Sequence, residues 1–133
     1  MISSRSHQVS RFDCASLSVS IALTSRTVII FSKTYCPFSK RAKGLLLEKY
    51  TITPEPYVVE LDVHPLGRQI QDKLGLMTGR KTVPNIMING KSIGGSDDIA
   101  LMDSNYELVD TIRTLGSVGE KTVEVKERAE EVK

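Results

Sequence analysis

The sequence predicts an α/β domain, a mixed four-stranded sheet flanked by helices. Three observations carry that reading. Thr27-Val28-Ile29-Ile30-Phe31 is a continuous apolar, β-branched run, the pattern of a strand covered on both faces. A helical segment separates it from a second strand, so the two should pair in parallel. Asn89-Gly90 lies between two short strands and suits the two positive φ angles of a type I′ turn, which adds an antiparallel hairpin.

Residues 1–11, with four serines and two arginines, read as a disordered leader, residues 12–116 as the domain and residues 117–133 as a charged C-terminal tail. Asp13 to Leu23 fits either a strand by alternation or a helix capped by Asp13. After the strand at Thr27–Phe31, Pro37 opens a helix that carries Ala42, Leu45, Leu46 and Lys49 up to a breaker at Thr51-Ile52-Thr53-Pro54. Tyr57–Val63 is the second strand, and Pro65 opens a second helix with Ile70 and Leu74 on one face and Gly79 as its stop. Val83–Ile88 and Ser92-Ile93 form the hairpin. Ser96, Asp97 and Asp98 can cap a third helix, and Ser104 with Glu107 forms a capping box before Leu108, Ile112 and Leu115. Glu120–Lys133, with nine charged residues among fourteen, reads as a solvated tail or frayed helix.

A composition of 40% hydrophobic and 26% charged residues is that of an ordinary globular chain, and a formal charge of +2 gives no electrostatic reason to expect nucleic acid. No run reaches the roughly 20 apolar residues of a membrane span, so the chain as it stands reads as soluble. The two cysteines, Cys14 and Cys36, are too few for a disulfide framework and wrongly spaced for a zinc knuckle.

Cys36 stands out by its neighbours. Only the thiolate is a good nucleophile, so its surroundings must stabilise negative charge. With Pro37 at the first helical position, Cys36 becomes the cap, facing unpaired backbone N–H groups and the positive end of the helix dipole. Lys33 adds a formal cation. Cys14 has no such setting and reads as inert. Ser39 occupies the place where a Cys-x-x-Cys pair would have its second sulfur, so a mixed disulfide at Cys36 has to be resolved by a thiol from solution. Ser39 is then either a hydrogen-bond donor to the thiolate or an ordinary first-turn serine.

Taken together, Phe31-Ser32-Lys33-Thr34-Tyr35-Cys36-Pro37-Phe38-Ser39, Thr82-Val83-Pro84 and Gly94-Gly95-Ser96-Asp97-Asp98 resemble the glutaredoxins at three signature sites, over residues 27–115. The stretch Thr78–Pro84 is similar to that of the monothiol glutaredoxins of the fungal secretory pathway. The resemblance implies a thioredoxin-like fold and a glutathione site. Lys33 and Gln71 would hold the glycine carboxylate. Val83, before a proline that is cis in the family, would pair its backbone with the cysteinyl residue, with Thr82 and Pro84 shaping that edge. Asp97 and Asp98 would take the γ-glutamyl end. Tyr35 flanks the thiol, and Phe38, where many members have tyrosine, keeps an apolar wall without the hydroxyl.

The implied activity is reduction of protein–glutathione mixed disulfides, with glutathione as co-substrate, glutathionylated proteins as partners and a monomer as the working unit. The alternative it implies is a dimer bridged by a [2Fe–2S] cluster held by Cys36 of each subunit and two glutathiones. Pro37 stands where cluster-binding members usually have Gly or Ser, which favours thiol exchange. A redox-inactive binding module is a third reading. The compartment expected is the cytoplasm as the chain stands, or the endoplasmic reticulum or Golgi lumen if an anchor precedes it.

Overall fold

The structure, a computed structural model, describes residues 27–119 and 122–128. The ambiguous segment Asp13–Leu23, with Cys14, lies outside the described residues. Strand β1 (Val28–Ser32) is buried along its whole length. Its side chains divide between two cores: Val28 and Ile30 join one cluster, Ile29 and Phe31 the other. That division is the period of two expected of a strand covered on both faces.

Four strands form the main sheet in the order β3-β1-β4-β5, with β3 at Tyr57–Glu60, β4 at Asn85–Ile88 and β5 at Lys91–Gly94. β1 pairs parallel with β3 and antiparallel with β4, and β4 pairs antiparallel with β5. The mixed sheet is thus the predicted one. The hairpin turn has the predicted chemistry, with φ of 49° at Asn89 and 82° at Gly90. β3 is shorter than expected because β1 ends at Ser32; the Leu61 N–H donates to the Ser32 carbonyl at 2.8 Å, and the chain then turns. β4 begins at Asn85 rather than Val83, since Pro84 has no N–H to give to a ladder.

Helix α1 (Pro37–Lys43) runs on as a π-helical stretch, Gly44–Lys49. It buries Ala42 and Leu46 against the first cluster, which also receives Ile99, Leu108 and Ile112 from α3 (Ser96–Ser104) and α4 (Leu108–Gly116). α2 (Gly67–Thr78) buries Ile70 and Leu74 on the opposite face with Val59, Leu61 and Met87. Helices therefore cover both faces of the sheet.

Three expectations are corrected. Thr51–Pro54, read as a breaker, overlaps strand β2 (Tyr50–Thr53), and Glu124–Glu127, read as part of a solvated tail or frayed helix, is its antiparallel partner β6. Tyr50, Ile52, Val123 and Val125 are all buried in the first cluster. Two valines at alternate positions give too short a pattern to stand out among charges, yet they suffice to seat a two-stranded ribbon. The third correction concerns the second capping box. Ser104 is the last residue of α3 and Glu107 is the cap of α4, its N–H donating to the Met102 carbonyl at 2.7 Å. No helix among the described residues is long and apolar enough to cross a membrane.

Candidate active site

Cys36 caps α1 in an extended conformation, φ −81° and ψ 122°, with Pro37 at the first helical position. Its carbonyl accepts the first intrahelical bond, from the Lys40 N–H at 3.0 Å, and its N–H closes a turn onto the Lys33 carbonyl at 3.2 Å. The thiol is free and partly exposed. Burial alone would push its pKa up. That is outweighed by the Ser39 N–H and hydroxyl, the Phe38 N–H and the charge of Lys33, and the net result lies below the ordinary thiol value.

Ser39 is fully buried, and its hydroxyl oxygen also accepts the Lys33 N–H at 3.3 Å. This first-turn serine thus ties both ends of the loop together. Tyr35 and Phe38 flank the thiol at 67% and 54% exposure, so the surface around Cys36 is apolar and accessible.

A further anchor holds the loop. The Asp62 carboxylate, just past β3, accepts the Thr34 N–H at 3.0 Å and the Thr34 hydroxyl. The Thr34 hydroxyl, with smaller help from the Thr34 N–H and the Lys33 charge, holds the Asp62 carboxyl below its usual range. Behind it, Glu60 accepts the Ser32 hydroxyl and pairs with Lys43 at 2.6 Å.

β1 and β4 run antiparallel with Phe31 opposite Asn85, so the loop leaving β1 and the segment entering β4 meet at one end of the sheet. The Val83–Pro84 bond there is cis, as the resemblance implied. Pro84 is buried, and Val83 is partly buried against the second cluster. Gln71, on α2, donates its side-chain N–H to the Lys81 carbonyl at 2.7 Å, so it steadies the approach to Thr82. Thr82 Oγ1 accepts from Arg80 at 3.2 Å.

At the start of α3, Asp98 accepts the Gly95 N–H at 2.9 Å and pairs with Arg80 at 2.9 Å, and these two contacts lower its pKa. Asp97 pairs with Arg41 at 3.3 Å. Arg41, Asp62 and Arg80 were not singled out by sequence reasoning. Arg80 stands inside the Thr78–Pro84 stretch and was legible in position though not in role. Asp62 reaches Thr34 across 28 positions, a pairing that no local pattern announces.

The glutaredoxin family model matches residues 28–93. Monothiol glutaredoxin-7 of Saccharomyces cerevisiae is 49% identical over 86 residues, 65% of this chain and 42% of that protein. Glutaredoxin-C4 of Arabidopsis thaliana is 44% identical over 103 residues, 77% of this chain and 72% of that one. The chain thus spans less than half of the yeast relative's length. Among solved structures, the buckwheat glutaredoxin–glutathione complex has a TM-score of 0.71 at 31% identity, over 83% of this chain and 97% of that one. The holo form of glutaredoxin C1 from Populus tremula x tremuloides has 0.70 at 37%, over 84% and 96%. Alike in sequence to a monothiol glutaredoxin and to glutaredoxin-C4, and alike in fold to solved members, the chain that carries this Cys36 loop belongs to the glutaredoxin family.

Proposed function

We propose that the protein reduces protein–glutathione mixed disulfides by a monothiol route. One observation carries the reading: an accessible thiol of lowered pKa at a helix cap, with a buried serine and not a second sulfur three residues on. The Cys36 thiolate attacks the glutathionyl sulfur, forming the Cys36–glutathione disulfide while the substrate sulfur leaves as thiolate and takes a proton from solvent. Free glutathione, as its thiolate, then attacks the glutathionyl sulfur of that adduct. Glutathione disulfide departs and the Cys36 thiolate is regenerated.

Recognition of glutathione follows the same assignments. Lys33 and Gln71 receive the glycine carboxylate, the Val83 backbone pairs with the cysteinyl residue beside Thr82 and Pro84, and Asp97 and Asp98 at the start of α3 receive the γ-glutamyl end. Phe38 lies against the ligand as an apolar wall, while Tyr35 and Pro37 shape the rim. The buckwheat relative in complex with glutathione supports this reading by fold likeness.

A [2Fe–2S] cluster bridging two subunits ranks second. The Populus relative was solved in a holo form, with a group bound, and Cys36 is an accessible thiol that could ligate one. Cys36 would supply one sulfur per chain, and among the described residues no group of three or more His, Cys, Asp or Glu could hold a metal unaided. Among the described residues Cys36 is the one thiol, so this donor set fits a shared cluster through glutathione as the further ligand.

The test is turnover of a small glutathionylated disulfide by wild type and Cys36→Ser, beside an absorption spectrum after anaerobic reconstitution with iron, sulfide and glutathione. Loss of turnover in Cys36→Ser and a colourless wild type are expected. Full activity in the variant would sink the mechanism, and charge-transfer bands would promote the cluster.

A further inference from the structure

Two aspartates at the start of α3 face a difficulty in the proposed site: the γ-glutamyl end brings a carboxylate as well as an ammonium. Like charges within roughly 4–6 Å oppose one another. Each aspartate, however, has its own arginine. Asp97 and Arg41 are 3.3 Å apart and both largely exposed, a pair of little rigidity. Asp98 and Arg80 form the closer pair, at 2.9 Å, and the Arg80 side chain is 32% exposed.

Arg80 also does something that Arg41 does not. One guanidinium nitrogen, Nη2, donates to Asp98 at the start of α3, and the other, Nη1, donates to Thr82 Oγ1 at 3.2 Å on the edge before the cis proline. Its backbone is held in turn, since the Arg80 carbonyl accepts from Thr78 Oγ1 at 3.3 Å. The guanidinium presses on the cap itself: a Cβ at Gly95 would lie 2.9 Å from the Pro84 carbonyl and 3.1 Å from Arg80 Nη2, so only glycine lets these three meet. One planar fork thus touches both walls of the proposed cleft, a geometry that lysine cannot reproduce.

We infer that Arg80 is a positioning and specificity-determining residue: it holds the Thr82–Pro84 edge in register with the start of α3 and offsets the Asp98 charge so that the γ-glutamyl carboxylate can dock there. This rests on the glutathione reading of the site. Its signature is selectivity for the carboxylate, which a purely structural brace would not produce.

The experiment compares two mixed disulfides of 2-mercaptoethanol, one with glutathione and one with γ-aminobutyryl-Cys-Gly, which lacks only the γ-glutamyl α-carboxylate. Arg80→Gln should raise KM for the glutathione disulfide about tenfold, as expected for loss of a charged contact. kcat should stay within about twofold, and KM for the analogue should move less than about twofold. Equal rises in both KM values, or no change in either, would overturn the inference. If Arg80→Gln does not fold, Arg80→Lys takes its place: it keeps the charge without the fork, so it should lower the preference for the carboxylate-bearing substrate while leaving the analogue's KM within about twofold, and an unchanged preference or equal rises in both KM values overturns the inference. Failure of wild type to turn over the glutathione disulfide at all would instead remove the glutathione reading itself.

Discussion

At the residue scale, Ser39 decides how acidic the thiol is. It is fully buried, yet it is not part of either apolar cluster; its hydroxyl takes the Lys33 N–H, and both its N–H and its hydroxyl favour the Cys36 thiolate. Ser39→Ala removes the hydroxyl's share and leaves the Lys33 N–H without its acceptor. The Cys36 pKa should rise toward the ordinary thiol value, and alkylation by iodoacetamide at mildly acidic pH should slow several-fold, because its rate follows the thiolate fraction. A pH-dependent alkylation profile unchanged from wild type would show the hydroxyl to be a spectator. The sequence made Cys36, Pro37 and Lys33 legible because their effect is local, set by helix capping and one nearby charge. It could not decide between two roles for Ser39, because burial depends on what packs above it.

At the scale of elements, the ribbon of β2 and β6 is the part of the fold least visible in advance. Local chemistry announces Asn89-Gly90 unaided, whereas Tyr50–Thr53 becomes a strand only because residues more than 70 positions later lie beside it. The seam is fastened at one end by Arg128, whose N–H reaches the Lys49 carbonyl at 2.8 Å and whose guanidinium reaches the Leu47 carbonyl at 3.3 Å. At the start of β2, the Asp103 carboxylate of α3 accepts the Tyr50 hydroxyl and pairs with Lys49 at 2.7 Å. Val125 is 2% exposed against Ile52 and the helices of the first cluster. Val125→Ala should therefore cost about 2 kcal/mol of stability, from the lost methyl groups and the cavity they leave, measured by urea unfolding. A cost below about 0.5 kcal/mol, the range of surface changes, would mean that the ribbon contributes no packing.

For the molecule as a whole, the charge pairs set how stability follows pH. The Asp62, Asp98 and Asp103 carboxyls are held below their usual range, Asp62 first by the Thr34 hydroxyl and Asp98 first by the Gly95 N–H. For Asp103, burial acts upward and is outweighed by Lys49 and Tyr50. A lowered folded pKa means that the unfolded chain binds more protons below about pH 4, the ordinary carboxylate range. The stabilisation is thus complete above that range and is lost as pH falls through the folded values. Lys49 has the opposite sign: Asp103 raises its pKa, so its contribution is present at neutral pH and lost as pH rises through the folded value. Thermal unfolding should show a Tm that falls below pH 4 and falls again in strong alkali. Asp103→Asn should flatten both limbs; a variant with both limbs unchanged would refute the assignment.

The order of the chain gives the Cys36 loop one more property. All the groups that acidify the thiol lie within Lys33–Ser39, a stretch that Asp62 anchors from just past β3. The walls that would select a ligand, from Arg80 to Asp98, are carried by β4, β5 and the start of α3, so they leave the ribosome later. At about 5–20 residues per second, an interval of a few seconds separates the two. During synthesis, therefore, the residues that acidify the thiol, and the Asp62 that anchors their loop, are all made before any residue of the walls from Arg80 to Asp98.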